Sequence, residues 1–320
     1  MSYGPDKSLR TRRDVTRPAR PQSTLDLAAL RSFYEAWGHQ SLVAHGAVWF
    51  DGGAFSLMSI PSVLKPDLSI PDVRILLSRT RKLAAVYPSE TSHGVPVPLF
   101  TLRDKDYGPA SLQRQFRQQV RTASALMEVR ECPWREWRDA ALRCDRETLL
   151  RRGIGPGTVH PLLTTAGREQ IALAAAAVPG LRIQACFRGS EILAYLVHIT
   201  FDGVCEGLMA HRCESGPEAT TRHASHLLYY SFARWAITQD GIGMVCVGRQ
   251  SVPANVSLAR FKVHAGFQPE PYHVRIRLHP LLAPALENRL AAGLLRVIRI
   301  RFTGAIPPLA NLEVLESAHA

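Results

Sequence analysis

Residues 242–267 constrain this chain more than any other stretch, because a buried strand, a polar turn and a short helix follow one another without a gap. Ile242, Met244, Val245, Cys246 and Val247 form an apolar run between Gly241 and Gly248, the pattern of a strand covered on both faces. Arg249, Gln250, Ser251 and Pro253 supply the turn. Asn255 suits a helix N-cap, since its side-chain oxygen can accept from a free amide of the first turn. Leu258, Ala259, Phe261, Lys262 and Val263 continue at helical spacing until Gly266, which favours the left-handed turn that ends a helix.

The rest of the chain repeats this α/β grammar. In the first half, residues 43–50 and 54–60 flank Asp51-Gly52-Gly53 and read as a hairpin. A helix over 73–86 follows, then a strand over 95–102, a helix over 109–124 and a strand over 126–132. In the second half, strands over 181–187 and 192–201 turn at Arg188-Gly189, and a third strand spans 204–211. A helix over 223–238 comes next, apolar nearly all round with Leu227, Leu228, Tyr230, Phe232, Trp235 and Ile237, so it should pack on a sheet. The strand-turn-helix segment and a closing strand over 272–278 complete the half. A helix between strands 204–211 and 242–247 implies that these two run parallel. Helices over 133–151 and 164–178 link the halves.

The spacing of Asn255, Phe261, Gly266 and Phe267 resembles the last helix of the GNAT acyltransferase superfamily, where an Asn opens the helix and a Gly-Phe pair closes it eleven and twelve residues later. The repeated element order resembles the Fem-type, tandem-GNAT branch. The expected architecture is two GNAT-like units in tandem, each a mixed sheet flanked by helices. Residues 25–150 would form the first unit and 151–280 the second, which carries the acyltransferase site. Residues 1–24, with Arg10, Arg12, Arg13, Arg17 and Arg20, read as a disordered basic tail. Residues 281–320 read as a C-terminal helix and tail, whose Arg296, Arg299 and Arg301 would suit peripheral contact with a membrane surface.

Composition narrows the partners without choosing one. The net charge is +12, and all but five of the 39 basic residues are arginine. That suits an anionic partner, although a solvated arginine-rich surface explains it as well. The six cysteines form no CxxC pair, and no leader is evident, so the natural setting is a bacterial cytoplasm. The longest apolar run, residues 171–178, is far short of the ~20 residues of a membrane span. His211, Cys213, His223 and His226 match no standard zinc spacing, so no metal is expected.

The resemblance implies a reaction governed by geometry. The donor carbonyl sits where two central strands splay and is polarised by backbone N–H groups, while a base takes a proton from the attacking amine. The splay falls between 204–211 and 242–247, which makes Glu206 the preferred base and His211 the second choice. Lys262 stands where many acetyltransferases of the superfamily carry a Tyr, and would act as a catalytic electrostatic helper. Each of the three could equally be an ordinary strand or helix residue. Thr220, Thr221, Arg222 and His223 precede the long helix and would contact donor phosphate. The glycines of the usual coenzyme A turn are missing, with Ala219, Arg222 and Ala224 at the corresponding positions. The acyl donor, a co-substrate, is therefore left open among acyl-CoA, acyl-carrier protein and aminoacyl-tRNA. Substrate contacts are assigned to Arg114, Arg117 and Arg121, one basic stripe, and to Ser251 and Asn255. The implied function is transfer of an acyl or aminoacyl group to an amine-bearing acceptor. The alternative is a non-catalytic basic adaptor for RNA or a protein partner.

Overall fold

The computed structural model describes residues 24–53, 55–89, 94–155, 157–214, 223–250, 255–279 and 313–314. Helix α1 (Leu27–Ala36) opens on Asp26, whose carboxylate accepts from the Ala29 amide at 2.9 Å. Sequence patterning gave no sign of it. Next come β1 (Ser41–Ala44), β2 (Ala47–Gly53), β3 (Ser56–Ile60), α2 (Ile70–Thr80), β4 (Ala84–Ser89) and β5 (Val95–Leu102). Helix α3 (Arg114–Ser124), β6 (Glu128–Glu131), α4 (Trp134–Ala140), α5 (Leu142–Arg151) and α6 (Thr165–Ala176) connect to the second half. That half holds β7 (Leu181–Arg188), β8 (Glu191–Phe201), β9 (Val204–Arg212), α7 (Ala224–Thr238), β10 (Met244–Arg249), α8 (Val256–His264) and β11 (Gln268–Leu278).

All strands join one mixed sheet in the order β1-β2-β3-β4-β11-β5-β10-β9-β8-β7-β6, with β12 (Glu313–Val314) beside the end of β11. The expectation of a separate sheet in each half gives way to this continuous one. The order reads alike from its middle outward. The central pair β11 and β5 is antiparallel. Each partner then meets an antiparallel strand, β4 on one side and β10 on the other. Beyond these lie the parallel neighbours β3 and β9, each reached through a crossover helix, α2 or α7. Strands β9 and β10 are parallel, as the helix between them implied.

Several expected boundaries move for identifiable reasons. The strand expected over 43–50 is broken by His45 and Gly46, both at positive φ (50° and 72°), which turn β1 back onto β2. The helix expected over 73–86 stops at Thr80, because Arg81 adopts a left-handed cap at φ 55°. The apolar residues beyond it then form β4. Residues 109–111 are a 3-10 turn ahead of α3, and the helix expected over 133–151 is two helices meeting at Ala141. The tail before Thr24 and the helix expected over 281–302 lie outside the described residues.

The sheet is covered on both faces. Helices α1, α4, α5 and α6 enclose one core with Phe33, Trp37, Trp137 and Tyr195. Helices α3 and α7 enclose the other with Phe116, Leu228, Phe232 and Phe267. Helix α7 is buried against β7–β10, as its apolar circumference required. Among the described residues no helix is long and apolar enough to cross a membrane.

The Gly-Phe pair after α8 has a steric explanation. Gly266 sits at φ +90°, and an added Cβ would lie 2.8 Å from the Tyr107 ring and 3.1 Å from the Ser111 carbonyl oxygen. The Tyr107 hydroxyl donates to the Ala265 carbonyl at 2.6 Å, which fixes the ring there. Gly266→Ala should therefore cost roughly 1–3 kcal/mol. Urea denaturation should show a lower midpoint with an unchanged slope.

Candidate active site

The parallel ladder between β9 and β10 has three rungs: Val204 with Met244, Cys205 with Val245 and Glu206 with Cys246. Past Glu206 the strands part. Strand β9 continues along β8, and β10 follows β5. Each carries a bulge at the parting. On β10, Cys246 pairs with Thr101 and Arg249 with Leu99, so three steps match two. On β9, Gly207 faces His198 while Met209 faces Val197, which inserts Leu208. Gly248, at φ +77°, provides the backbone freedom for the first bulge.

The bulges decide where side chains point. Positions two apart on a strand share a face. Leu99 and Thr101 are two apart on β5, so Arg249 joins Cys246 and, level with it, Glu206. A regular strand would have sent Arg249 to the opposite face. Tyr272 on β11 pairs with Val97 and joins them. His211 pairs with Tyr195 and Glu206 with Ile199, so the second bulge puts His211 on that face too.

Glu206 is 1% exposed. Its Oε1 accepts from the Ser62 amide at 2.8 Å, whereas Oε2 is enclosed without a hydrogen-bond partner. Burial raises its pKa, only partly offset by Ser62 and the neighbouring amide. Tyr34 of α1 is near enough that the Glu206 charge adds to the burial that raises its hydroxyl pKa. The Tyr272 hydroxyl donates to the Ser62 carbonyl. Arg249 reaches Tyr272 as well, and burial lowers its guanidinium pKa against the favourable pull of Tyr272 and Glu206. Its Nη1 is enclosed without a partner.

Lys262 comes from the opposite face. It is 4% exposed, its ammonium lies 4.8 Å from the centroid of the Phe100 ring, and it donates to the Gly248 carbonyl at 3.2 Å. The lysine thus grips the glycine of the β10 bulge. Burial lowers its pKa to about 8, opposed by Cys246 and Glu206. It is not an exposed helix lysine.

His211 is held in a different network. Its Nδ1 lies 2.7 Å from Asp145 and 3.0 Å from the Tyr195 hydroxyl. Asp145 is ion-paired with buried Arg168, which also donates to the Trp137 and Leu162 carbonyls at 2.7 and 3.0 Å. This arrangement ties α5 and α6 to β8 and β9. His211 shares its face with Glu206 but is engaged in that core.

The remaining expected residues scatter. Arg114 and Arg121 are exposed on α3, while Arg117 folds back to donate to the Leu112 carbonyl at 3.1 Å, so the stripe is broken. Asn255 caps α8 by accepting from the Leu258 amide at 3.0 Å. His223 ends just before α7, its ring 5.4 Å from that of His226. Cys213 lies 2.9 Å from Cys144, away from those two. Among the described residues no group of three or more His, Cys, Asp or Glu could hold a metal. Thr220, Thr221, Arg222 and Ser251 lie outside the described residues.

Sequence reading missed Tyr34, Ser62, Arg249 as a site residue, and Tyr272. Only Arg249 had a local signal, a cation directly after a strand-ending glycine. It also missed a groove of about 380 Å³ between α3, the start of α7 and α8. Phe116, His226 and Phe261 make its aromatic wall, with centroids 4.7–5.4 Å apart, and Gln115, Gln119 and Arg260 are its polar rim.

No family model matches the chain, and none of the curated proteins does. Solved structures do. L-PGS from Bacillus licheniformis matches over 86% of this chain and 96% of its own, at 12% identity and a TM-score of 0.50. The C-terminal domain of a protein assigned as a lysylphosphatidylglycerol synthetase from Agrobacterium fabrum covers 87% of this chain and 93% of its own, at 10% identity and 0.48. FemX covers 76% and 90%, at 9% and 0.46. At these identities the likeness speaks to fold alone: this chain shares the α/β fold of L-PGS from Bacillus licheniformis.

The buried ammonium gives a test of this geometry. The Lys262 pKa falls from its ordinary 10.5 to about 8 on folding. Across that window the unfolded chain holds a proton that the folded chain has released. The stability of the protein relative to Lys262→Met should therefore rise with pH through the window and be level below it. At neutral pH the variant should be at least as stable, since it removes a buried charge. Urea titrations at a series of pH values read both effects.

Proposed function

We propose that this protein transfers an acyl or aminoacyl group from an activated thioester or ester to an amine, at the parting of β9 and β10. The observation that carries this reading is Glu206: a buried carboxylate with a free oxygen, set where the ladder ends. Left without a task, such an oxygen only costs stability. The basic-adaptor reading gives it none.

In this mechanism Glu206 takes one proton from the incoming ammonium, and the nitrogen freed by it attacks the donor carbonyl. The Lys262 ammonium, held at the Gly248 carbonyl, stabilises negative charge on the tetrahedral oxygen until the C–S or C–O bond breaks and the thiol or alcohol departs with the second proton of the attacking nitrogen. Donor and acceptor approach from opposite faces. The groove lies on the α8 side with Lys262, and its aromatic wall and Arg260 suit the nucleotide end of a donor. The acyl end would pass through the parting toward Glu206. Acyl-CoA, acyl-carrier protein and aminoacyl-tRNA all fit this route. The mirror order of the sheet supports tandem units over 25–150 and 151–280 that exchange β5 and β11.

Native mass spectrometry of the purified protein should reveal a co-purifying donor, which then supplies the assay. Glu206→Gln should lower transfer roughly 10²-fold or more without lowering the melting temperature. Transfer unchanged by that substitution would end this reading.

The choice of donor has its own check. With Ala219 and Arg222 where the coenzyme A turn has residues that let the backbone come close, several N–H groups cannot close around a pyrophosphate. Free acetyl-CoA should bind weakly, with useful affinity only for donors that bring more surface. Calorimetric titration showing tight micromolar binding would contradict this.

A further inference from the structure

On the Glu206 face, a buried carboxylate and a half-buried guanidinium stand together without joining. Glu206 Oε2 has no hydrogen-bond partner and neither has Arg249 Nη1. Each group feels the other's charge, yet Glu206 Oε2 and Arg249 Nη1 do not bond to one another. Side chains this long usually close on each other when both are withdrawn from water, because an uncompensated buried charge is costly. Here they are held apart. Glu206 is tied to the Ser62 amide, and Arg249 is drawn toward Tyr272, whose hydroxyl is fixed on the Ser62 carbonyl. The β10 bulge is what brings Arg249 to this face, and Lys262 holds the carbonyl of its glycine. A structural element has thus been bent to present a guanidinium beside the base.

We propose that Arg249 anchors an oxyanion of the acceptor, a carboxylate or phosphate a few bonds from the attacking nitrogen, so that the acceptor is a zwitterion held between Arg249 and Glu206. This rests on the acyl-transfer reading of the same site and names the class of amine it takes. The ammonium end faces the free oxygen of Glu206, which removes one proton as the nitrogen attacks. The anionic end takes the free face of the guanidinium, whose planar fork matches either oxyanion. Bound there, the acceptor completes both unmet hydrogen-bonding needs at once. A neutral alkylamine would complete one and leave Arg249 Nη1 without a partner.

Binding can be measured without turnover. Saturation-transfer NMR titrations would use β-alanine and phosphoethanolamine as zwitterions, with ethylamine, propionate and ethyl phosphate as single-charge probes. The full-length protein should prefer a zwitterion to its single-charge counterparts by roughly tenfold or more, the scale of one charge-assisted contact. The stronger of the two zwitterions identifies carboxylate or phosphate. Arg249→Met should erase the preference and leave ethylamine binding unchanged, and Arg249→Lys should retain part of it. The melting temperature of Arg249→Met should not fall, since the substitution removes a half-buried, incompletely paired charge. Equal binding of ethylamine and the zwitterions, no binding of any probe, or an unchanged preference in Arg249→Met would each overturn the proposal. If Arg249→Met does not fold, Arg249→Lys decides, and full retention of the preference overturns it. Zwitterion binding in a protein that transfers nothing would refute the acyl-transfer reading alone. Transfer to neutral amines as efficient as to zwitterions would refute this inference alone.

Discussion

The rest of the structure depends on one pairing, the antiparallel ladder between β11 and β5. Strand β11 lies between β4 and β5, and β5 between β11 and β10. Each half therefore contributes the strand that closes the other. Val95, Val97 and Leu99 from one half bury Cys246, Tyr272 and Val274 from the other. Glu270 reinforces the seam, accepting from Thr101 and pairing with Arg103 at 2.8 Å. The parting at β10 can stay open only because β5 supports its far side. A lone β9–β10 pair with two bulges would have little to hold its shape.

Around this frame the protein keeps charges where folding alone would not place them. Lys262 and Glu206 are buried and Arg249 half-buried, on three different elements, and burial pushes each toward its neutral form. Arg168 and Asp145 are buried too, but they pair with each other and with backbone carbonyls, so that network braces the core. The Asp145–Arg168 pair is closed by these bonds, whereas at the parting one atom of Glu206 and one of Arg249 stay unmet.

Much of this was legible in the sequence and some was not. The strand-turn-helix segment with its Asn255 cap and Gly266 exit emerged as read, because each signal is local. The parallel course of β9 and β10 followed from a helix between two strands. Glu206 and Lys262 were found from one resemblance and prove to be buried at the parting. Strand β4 was absorbed into a helix, since its apolar residues follow helical ones and the left-handed Arg81 carries no compositional mark. The bulges were invisible for a different reason. A bulge is a relation between two strands, and the partners of β10 lie 143–150 residues earlier on β5 and 40 residues earlier on β9. Arg249 therefore read as a turn residue, on the wrong face.

The interleaving of β5 and β11 also has a consequence for the order in which the chain is made. Thr101 and Glu270, which meet across the seam, are 169 residues apart. When β4 and β5 leave the ribosome, the slot between them has no occupant, and both present bare backbone edges that invite foreign strands. The first half must wait for almost the whole second half before its sheet is complete. A long-range closure of this kind is slow and leaves sticky edges exposed meanwhile. Synthesis cut short before β11 would thus release two incomplete sheets rather than one folded unit and a missing tail.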